Sequence, residues 1–111
     1  MTEPDDFSLK GKTAFILGSA GLIGSDVSLQ MAKCGCKVIL LDNDIKSSNK
    51  VLEKVKEFSN GSEQAYFDCS DMDNLEKNFR AIIKTFSVPD IFINCSYPRT
   101  KDWASSSFKK M

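Results

Sequence analysis

The sequence predicts an α/β fold built around a parallel β-sheet, and two features of the chain lead to this prediction. Four short apolar runs alternate with longer segments in which apolar residues recur every three or four positions. Three closely spaced glycines directly follow the first apolar run and open the first of the longer segments. Strands that alternate with helices of this length form β-α-β units, which build a parallel sheet.

Each apolar run has the length of a strand buried on both faces, and the segments between them have helical periodicity. Right-handed crossovers between these elements give the strand order 3-2-1-4 of a Rossmann-type sheet. The sheet is incomplete, because four strands make about half of a doubly wound domain. The predicted strands span residues 13–17, 37–41, 64–68 and 90–94, and the predicted helices span residues 22–34, 45–59 and 71–86.

Each predicted helix has an apolar stripe and recognisable ends. Gly35 and Gly61 stand where the first two helices are expected to stop, and Pro89 separates the third helix from the last strand. Ser70 is the predicted N-cap of the third helix. The three stripes consist of Ile23, Val27, Met31 and Cys34; of Leu52, Val55 and Phe58; and of Met72, Leu75, Phe79, Ile82, Ile83 and Phe86.

The composition limits the classes of function. A chain of 111 residues has room for one domain, which we expect to comprise an arm (1–10), a dinucleotide-binding half-domain (11–97) and a polar tail (98–111). Lys and Arg total 15, as do Asp and Glu, so a nucleic-acid interface is not expected. We find neither a membrane-spanning run nor a signal core and expect a cytoplasmic protein. The absence of histidine excludes Ser–His and Cys–His nucleophile pairs.

The four cysteines are interpreted as structural. Cys34 and Cys36 precede the second predicted strand, whereas Cys69 and Cys95 follow the third and fourth. In a parallel sheet these two pairs lie at opposite ends, too far apart to share one metal ion. No metal site is therefore predicted.

The glycines Gly18, Gly21 and Gly24 form the motif that indicates dinucleotide binding. The first permits a tight turn from strand to helix, the second lets a pyrophosphate approach the backbone, and the third lets the helix pack closely. The free N–H groups at the start of that helix attract phosphate. A Walker-type loop is excluded, because no Gly-Lys-Ser/Thr follows.

Asp42 ends the second strand, where a dinucleotide fold places an acid that accepts hydrogen bonds from a ribose diol. A carboxylate there repels a 2′-phosphate, which favours NAD over NADP. The alternative is that Asp42, Asn43 and Asp44 form a solvated turn. We favour the ribose interpretation because glycine spacing, strand position and acid position agree.

These residues resemble the short-chain dehydrogenase/reductase family. The lead-in to the first strand and the G-x-x-G-x-x-G spacing match it, although Leu22 replaces the glycine of its commoner form. Asp68-Cys-Ser-Asp is similar to the family's Asp-Val-x-Asp segment, which implies that Asp68 accepts from the adenine amino group. Asn94 matches the family's Asn-Asn-Ala-Gly motif, which implies a role in stabilising the central sheet, whereas Cys95 and Tyr97 depart from it. The expected contacts with NAD come from Gly18, Ser19, Gly21, Leu22, Ile23, Gly24, Asp42, Asp68, Cys69 and Asn94.

A narrower resemblance concerns the run from Asn94 to Trp103. It is similar to the Asn-Asn-Ala-Tyr-Pro-Arg-Asn-Lys stretch of flagellin modification protein A reductases, which implies a nucleotide-sugar or nonulosonic-acid type of substrate. Tyr97, Arg99 and Trp103 either face such a sugar or pack as a surface loop.

The family's catalytic Ser and its Tyr-x-x-x-Lys pair would lie beyond Met111. Tyr97 and Lys101 have the spacing of that pair, but Pro98 and the preceding strand place Tyr97 in a loop. No catalytic residue is assigned. We expect a truncated reductase that is inactive alone and that self-associates through its exposed sheet edge.

Two other functions stay open from the sequence. One is a non-catalytic module that binds a nucleotide for regulation or assembly. The other is a methyltransferase, which also uses a glycine-rich turn and an acid after the second strand. The methyltransferase is disfavoured because the strand before the glycines contains no acid.

Overall fold

The computed structural model describes residues 8–96, so the predicted tail and the residues Tyr97, Arg99, Lys101 and Trp103 lie outside the described residues. The described chain forms one four-stranded sheet of order β3-β2-β1-β4, in which every pair of neighbouring strands is parallel. The predicted α/β class and strand order are thereby confirmed. The strands are β1 (Thr13–Leu17), β2 (Lys37–Asp42), β3 (Glu63–Tyr66) and β4 (Ile91–Asn94), and the helices are α1 (Leu22–Lys33), α2 (Ile45–Val55) and α3 (Leu75–Phe86).

The two central strands contain most of the core. β1 and β2 are buried on both faces, as their continuous apolar runs predict. Alternate residues of these strands point to opposite sides of the sheet, so the core has two layers. The layer beneath α1 and α2 includes Ile16 and Leu40, and the layer beneath α3 includes Phe15 and Leu41.

The outer strands are only half buried, which corrects the expectation that all four strands are covered on both faces. β3 and β4 lie at the two edges of the sheet and alternate or end in exposed residues. On β4 the ring of Phe92 is 44% exposed, although its edge contacts Phe79 of α3 with ring centroids 5.5 Å apart. An edge strand has a neighbour on one side only, and here the helices leave part of its surface open.

Helix α1 confirms half of the predicted stripe: Val27 and Met31 pack against the core layer beneath α1 and α2, whereas Ile23 and Cys34 are exposed. Its buried residues are Gly24, Ser28 and Ala32, whereas Ile23 is 61% exposed and Cys34 lies beyond the last helical residue. Small residues at four-residue spacing let the helix backbone approach the sheet more closely than a stripe of large residues allows. The hydroxyl of Ser28 donates to the carbonyl of Gly24 at 2.7 Å, so its burial leaves no unpaired donor.

The start of α3 also differs from the prediction. A turn of 3-10 helix (Met72–Asn74) precedes α3, and Ser70 is not its N-cap. Ser70 instead donates from its N–H and its hydroxyl to the Asp68 carboxylate, because this aspartate is the nearest acceptor after β3. Met72 is 72% exposed and does not belong to the core stripe.

The two predicted helix stops have different outcomes. Gly35 follows α1 with φ +92° and its N–H donates to the carbonyl of Ala32, which is the left-handed conformation that glycine favours. Helix α2 ends at Val55, and its last residues continue as turns in which Ser59 donates to the carbonyl of Val55. Gly61 therefore lies in the connection to β3 and does not end the helix. Among the described residues, no helix is long and apolar enough to span a bilayer.

Candidate functional site

An open cleft of about 770 Å³ lies at the carboxyl ends of the strands. Parallel α/β folds bind ligands at this end of the sheet, where the strand order reverses direction. Here the chain passes from β1 to β2 and β3 on one side and returns to β4 on the other. The cleft is lined by residues that follow all four strands, among them Gly18, Ala20, Gly21, Leu22 and Ile23 after β1, Asp42, Asn43 and Asp44 around the end of β2, Phe67, Asp68, Cys69 and Ser70 after β3, and Cys95 and Ser96 after β4.

Gly18 turns the chain from β1 toward α1 between two neighbouring segments. Its φ is +80°, and its N–H donates to the carbonyl of Leu41 at 2.8 Å. A Cβ at this position would lie 2.7 Å from the backbone nitrogen of Ser96. Both the backbone conformation and the space therefore require glycine, which supports the role predicted for this residue.

The third glycine is required by the loop itself. A Cβ on Gly24 would overlap the carbonyl oxygen of Gly18 and lie 3.0 Å from the Cα of Ser19. The close contact that this glycine permits is thus between the first turn of α1 and the glycine loop, which refines the predicted contact with the sheet.

The start of α1 is open to a ligand. Gly21 is the N-cap residue, has no side chain to satisfy the first N–H groups, and no acidic residue stands in the first turn. A Cβ on Gly21 would meet only the carbonyl oxygen of Gly18, at an ordinary 3.4 Å. By contrast, Asp44 caps the start of α2 and accepts from the N–H of Ser47. The partial positive charge at the start of α1 is therefore left for an anion, such as a phosphate.

Asp42 joins two parts of the cleft. One carboxylate oxygen accepts from the N–H of Ala20 at 2.8 Å, and the other accepts from the N–H of Asp44 at 2.8 Å. Both the ribose-ligand and the turn interpretations of this residue are compatible with that geometry, since each carboxylate oxygen has a second lone pair.

Two further carboxylates keep this side of the cleft negative. The backbone N–H and then the hydroxyl of Ser47 hold the pKa of Asp44 below its usual value. The hydroxyl and then the backbone N–H of Ser70 likewise lower the pKa of Asp68. With Asp42, the cleft therefore carries three acidic side chains on the β2 and β3 side.

The structure places the predicted site residues in two groups. Seven of the ten expected contacts line the cleft, namely Gly18, Gly21, Leu22, Ile23, Asp42, Asp68 and Cys69. Ser19 is fully buried with its hydroxyl oxygen 3.5 Å from that of Ser48, Gly24 is buried behind the loop, and the carboxamide oxygen of Asn94 accepts from the N–H and hydroxyl of Ser96. These three residues therefore do not line the cleft.

Sequence reasoning missed the lining residues Ala20, Ser70 and Ser96. A signal for two of them is present in the sequence. Asp68-Cys-Ser and Asn94-Cys-Ser are near-identical triplets at the ends of successive strands, and in each the first side chain accepts from the serine two residues later.

Cys69 and Cys95 occupy the middle of these turns, and burial raises the pKa of the Cys95 thiol. Within residues 8–96, no three Cys, Asp or Glu side chains are grouped to hold a metal ion.

Comparison with known proteins places the chain among dehydrogenases and reductases. Residues 12–104 match the short chain dehydrogenase family. The chain is 27% identical over 115 aligned positions to tetrahydroxynaphthalene reductase of Pyricularia oryzae, which covers 97% of this chain and 40% of that protein. It is 29% identical to gluconate 5-dehydrogenase of Gluconobacter oxydans, covering 85% of this chain and 37% of that protein. The chain thus spans less than half the length of these relatives.

Solved structures share the fold. The L-sorbose reductase of Gluconobacter frateurii, complexed with NADPH and L-sorbose, matches with a TM-score of 0.72 and 21% identity over 86% of this chain and 36% of that one. An oxidoreductase from Haemophilus influenza with bound NAD matches with a TM-score of 0.67 and 21% identity over 88% of this chain and 35% of that one. The neighbours include both an NAD complex and an NADPH complex.

The close contact between Gly24 and Gly18 leads to a first prediction, on the stability of the fold. Alanine normally stabilises a helix by about 1 kcal/mol relative to glycine, but Gly24→Ala should lower the free energy of unfolding by about 2 kcal/mol or more, because the added methyl overlaps backbone. Urea denaturation followed by circular dichroism measures the change. Gly61→Ala is the matched control: its Cβ would meet nothing within 4 Å, so the free energy should stay the same or rise by up to about 1 kcal/mol. Equal effects of both substitutions would contradict the packing described here.

The lowered pKa of Asp44 makes a second prediction, on the pH dependence of stability. A carboxylate whose pKa is lower in the folded than in the unfolded chain stabilises the fold above the unfolded value of about 3.9 and loses that contribution as the pH falls through the folded value. The difference in free energy of unfolding between the native protein and Asp44→Asn should therefore shrink as the pH is lowered from about 6 to about 2, measured by urea denaturation.

Ser47→Ala serves as the companion variant for this pH series. It removes the hydroxyl donor but keeps the backbone N–H of residue 47, which is the larger cause of the shift. It should therefore remove a smaller part of the pH dependence than Asp44→Asn does. Parallel pH curves for all three proteins would show that the contact does not form.

Proposed function

The chain belongs to the short-chain dehydrogenase family, and we propose that it binds NAD(H) in the cleft at the carboxyl ends of its strands. The observation that carries the proposal is the open start of α1, where the N–H groups of the first turn have no side-chain cap and the first turn itself contains no acidic residue. These groups suit the pyrophosphate of a dinucleotide. When bound, a nicotinamide cofactor supplies hydride transfer, and the residues described here hold and orient it.

The preference for NAD over NADP rests on charge. Asp42 and Asp44 both line the cleft beside the end of β2, where the adenosine ribose of a dinucleotide lies in this type of fold. A carboxylate accepts hydrogen bonds from the 2′ and 3′ hydroxyls but repels a 2′-phosphate. The backbone bonds that Asp42 already accepts leave one lone pair on each oxygen for the diol.

The remaining contacts follow the course of the cleft. We propose that Asp68 accepts from the adenine amino group, with Cys69 beside the base, because both follow β3 and line the same cleft as Asp42. Leu22 and Ile23 are 90% and 61% exposed at the mouth of the cleft and would be covered by the bound dinucleotide. Asn94 and Ser19 support the neighbouring turns through their side-chain contacts.

The family's chemistry needs a proton donor beside the nicotinamide, and the described residues provide no candidate. Tyr66 is the one tyrosine among residues 8–96; it lies on the edge strand β3, and Ser70 stands where the family's lysine would be required. We propose that this chain is inactive by itself and that the catalytic Ser, Tyr and Lys belong to further sequence of a full-length enzyme. The family match disfavours the alternative function of a methyltransferase.

For the full-length form, we propose a polyhydroxylated substrate of the sugar type, such as a nucleotide sugar or a nonulosonic acid. The support is twofold: the run Asn94–Trp103 resembles flagellin modification reductases, and one structural neighbour was solved with L-sorbose. The alternative is a module that binds a nucleotide without catalysis. Mixing the chain with a separately expressed catalytic half distinguishes the two, because only the first function restores NADH oxidation.

The cofactor assignment is tested by thermal unfolding followed by circular dichroism. NADH at about a hundred times its Kd should add about 2.7 kcal/mol to the free energy of unfolding and raise Tm by several degrees, whereas NADPH at the same concentration should raise it much less. Gly21→Ala should keep the Tm of the ligand-free protein, because its added methyl meets only ordinary contacts, and should lose most of the rise with NADH. A cooperative transition that neither nucleotide moves would refute the assignment.

The exposed edge of β4 supports a proposal on assembly. Within residues 8–96, β4 pairs only with β1, and two apolar side chains, Phe92 on β4 and Val88 shortly before it, are 44% and 74% exposed. An apolar strand with unpaired N–H and C=O groups pairs readily with another chain. Sedimentation velocity should show a mass that rises with concentration, and Phe92→Lys should shift the protein toward the monomer. A monomer at all concentrations would contradict self-association through this edge.

A further inference from the structure

Asp42 makes a contact that is not required for accepting hydrogen bonds from a ribose. Its second carboxylate oxygen accepts from the N–H of Ala20, in the middle of the glycine loop, at 2.8 Å. Residues 20 and 42 belong to different connections, so this bond ties the loop after β1 to the end of β2. No backbone acceptor is available to the Ala20 N–H within the described residues, and the carboxylate is its one partner.

The corresponding residues at the ends of the two edge strands behave differently. Asp68 follows β3 and Asn94 ends β4, and each accepts only from the serine two residues later. Asp42 makes the equivalent local bond to the N–H of Asp44 and adds the long-range bond to Ala20. Among these three residues, Asp42 alone connects one strand end to the connection after another strand.

The bond matters because it holds the middle of the loop, whereas the other backbone bonds lie on either side of Ala20. The N–H groups of Gly18 and Ser19 donate to the carbonyl of Leu41, and the N–H of Gly21 donates to the carbonyl of Gly18. Between Gly18 and Gly21 only two residues carry side chains, and glycine has the largest conformational freedom of any residue. Ser19 is held by burial beside Ser48, and Ala20 is the residue between Gly18 and Gly21 that lines the cleft. A hydrogen bond to a carboxylate is stronger than one between neutral groups and is suited to keeping this segment in one conformation.

We propose that Asp42 is a positioning residue for the phosphate-binding loop, in addition to its contact with the ribose. By holding Ala20, it keeps the N–H groups of the first turn of α1 directed into the cleft. This inference rests on the proposed function, since the loop is taken to bind the pyrophosphate. It predicts that removing the Asp42 carboxylate weakens phosphate binding even for a nucleotide that has no ribose hydroxyls.

The first test uses the native protein without ligand. The amide hydrogen of Ala20 should exchange at least about tenfold more slowly than in an unstructured peptide, measured by NMR, because its N–H is bonded to Asp42. In Asp42→Ala the same amide should lose this protection. Exchange of Ala20 at the free-peptide rate in the native protein would overturn the inference, whether or not the variant folds.

The second test compares ADP with 2′,3′-dideoxy-ADP by isothermal titration calorimetry. If Asp42 acts only on the ribose, Asp42→Ala weakens ADP and leaves the dideoxy nucleotide unchanged. If Asp42 also positions the loop, the variant weakens the dideoxy nucleotide as well, by about tenfold. An unchanged affinity for 2′,3′-dideoxy-ADP would therefore overturn the positioning role.

Asp90→Ala is the matched control for stability. Asp90 also accepts a long-range bond from a backbone N–H, that of Thr13 at 2.9 Å, but at the amino ends of β1 and β4. Its removal should lower Tm without changing the affinity for either nucleotide, so an equal loss of affinity in both variants would overturn the inference. If the native protein binds neither nucleotide, the proposed function fails, and the exchange of the Ala20 amide still decides whether Asp42 holds the loop.

Discussion

The backbones of Gly18 and Gly24 lie so close together that a side chain on Gly24 would overlap the carbonyl group of Gly18. This contact brings the start of α1 against the end of β1 and leaves the first helical N–H groups facing the cleft. The small residues that follow, Ser28 and Ala32, continue the close packing along the helix. The site therefore depends on a run of small side chains, and larger residues there would move the positive end of α1 away from the strand ends.

The charges of the cleft complement this arrangement. The chain as a whole has no net charge, but its acidic groups are unevenly placed. Three carboxylates line the side of the cleft formed after β2 and β3, whereas the start of α1 has none in its first turn. A ligand that is anionic in its middle and carries hydroxyl and amino donors at one end fits both regions, and a dinucleotide has this distribution.

The fold and part of the site could be predicted from the sequence because they follow from periodicity and from residues whose roles are local. The strand order follows from the alternation of elements, and the functions of Gly18 and Gly35 follow from turns that need a positive φ. What failed depends on which of several possible partners a group meets in the folded chain. Ser70 could cap the following helix or bond to Asp68 two residues earlier, and in the structure the Asp68 carboxylate accepts from both of its donors.

The same limit applies to the bond between Asp42 and Ala20. The loop after β1 and the end of β2 are distant in the chain and meet only once the parallel sheet has formed. The spacing of residues in the sequence therefore does not predict this contact. The positive φ of Ser87, at the end of α3, was not predicted for a separate reason: a serine there gives no signal of a left-handed conformation. Local chemistry was thus readable from the sequence, whereas contacts between separate strand ends required the structure.

The central claim is that the carboxyl ends of the strands form the dinucleotide site, and an NMR titration of the ¹⁵N-labelled chain with NADH tests it most directly. If NADH binds there, amide shifts are largest in residues 18–24 and extend to 42–44 and 68–70, with little change at the amino ends of the strands near Lys12, Cys36 and Asp90. Shifts centred on those amino ends, or no shifts at saturating NADH, would contradict it.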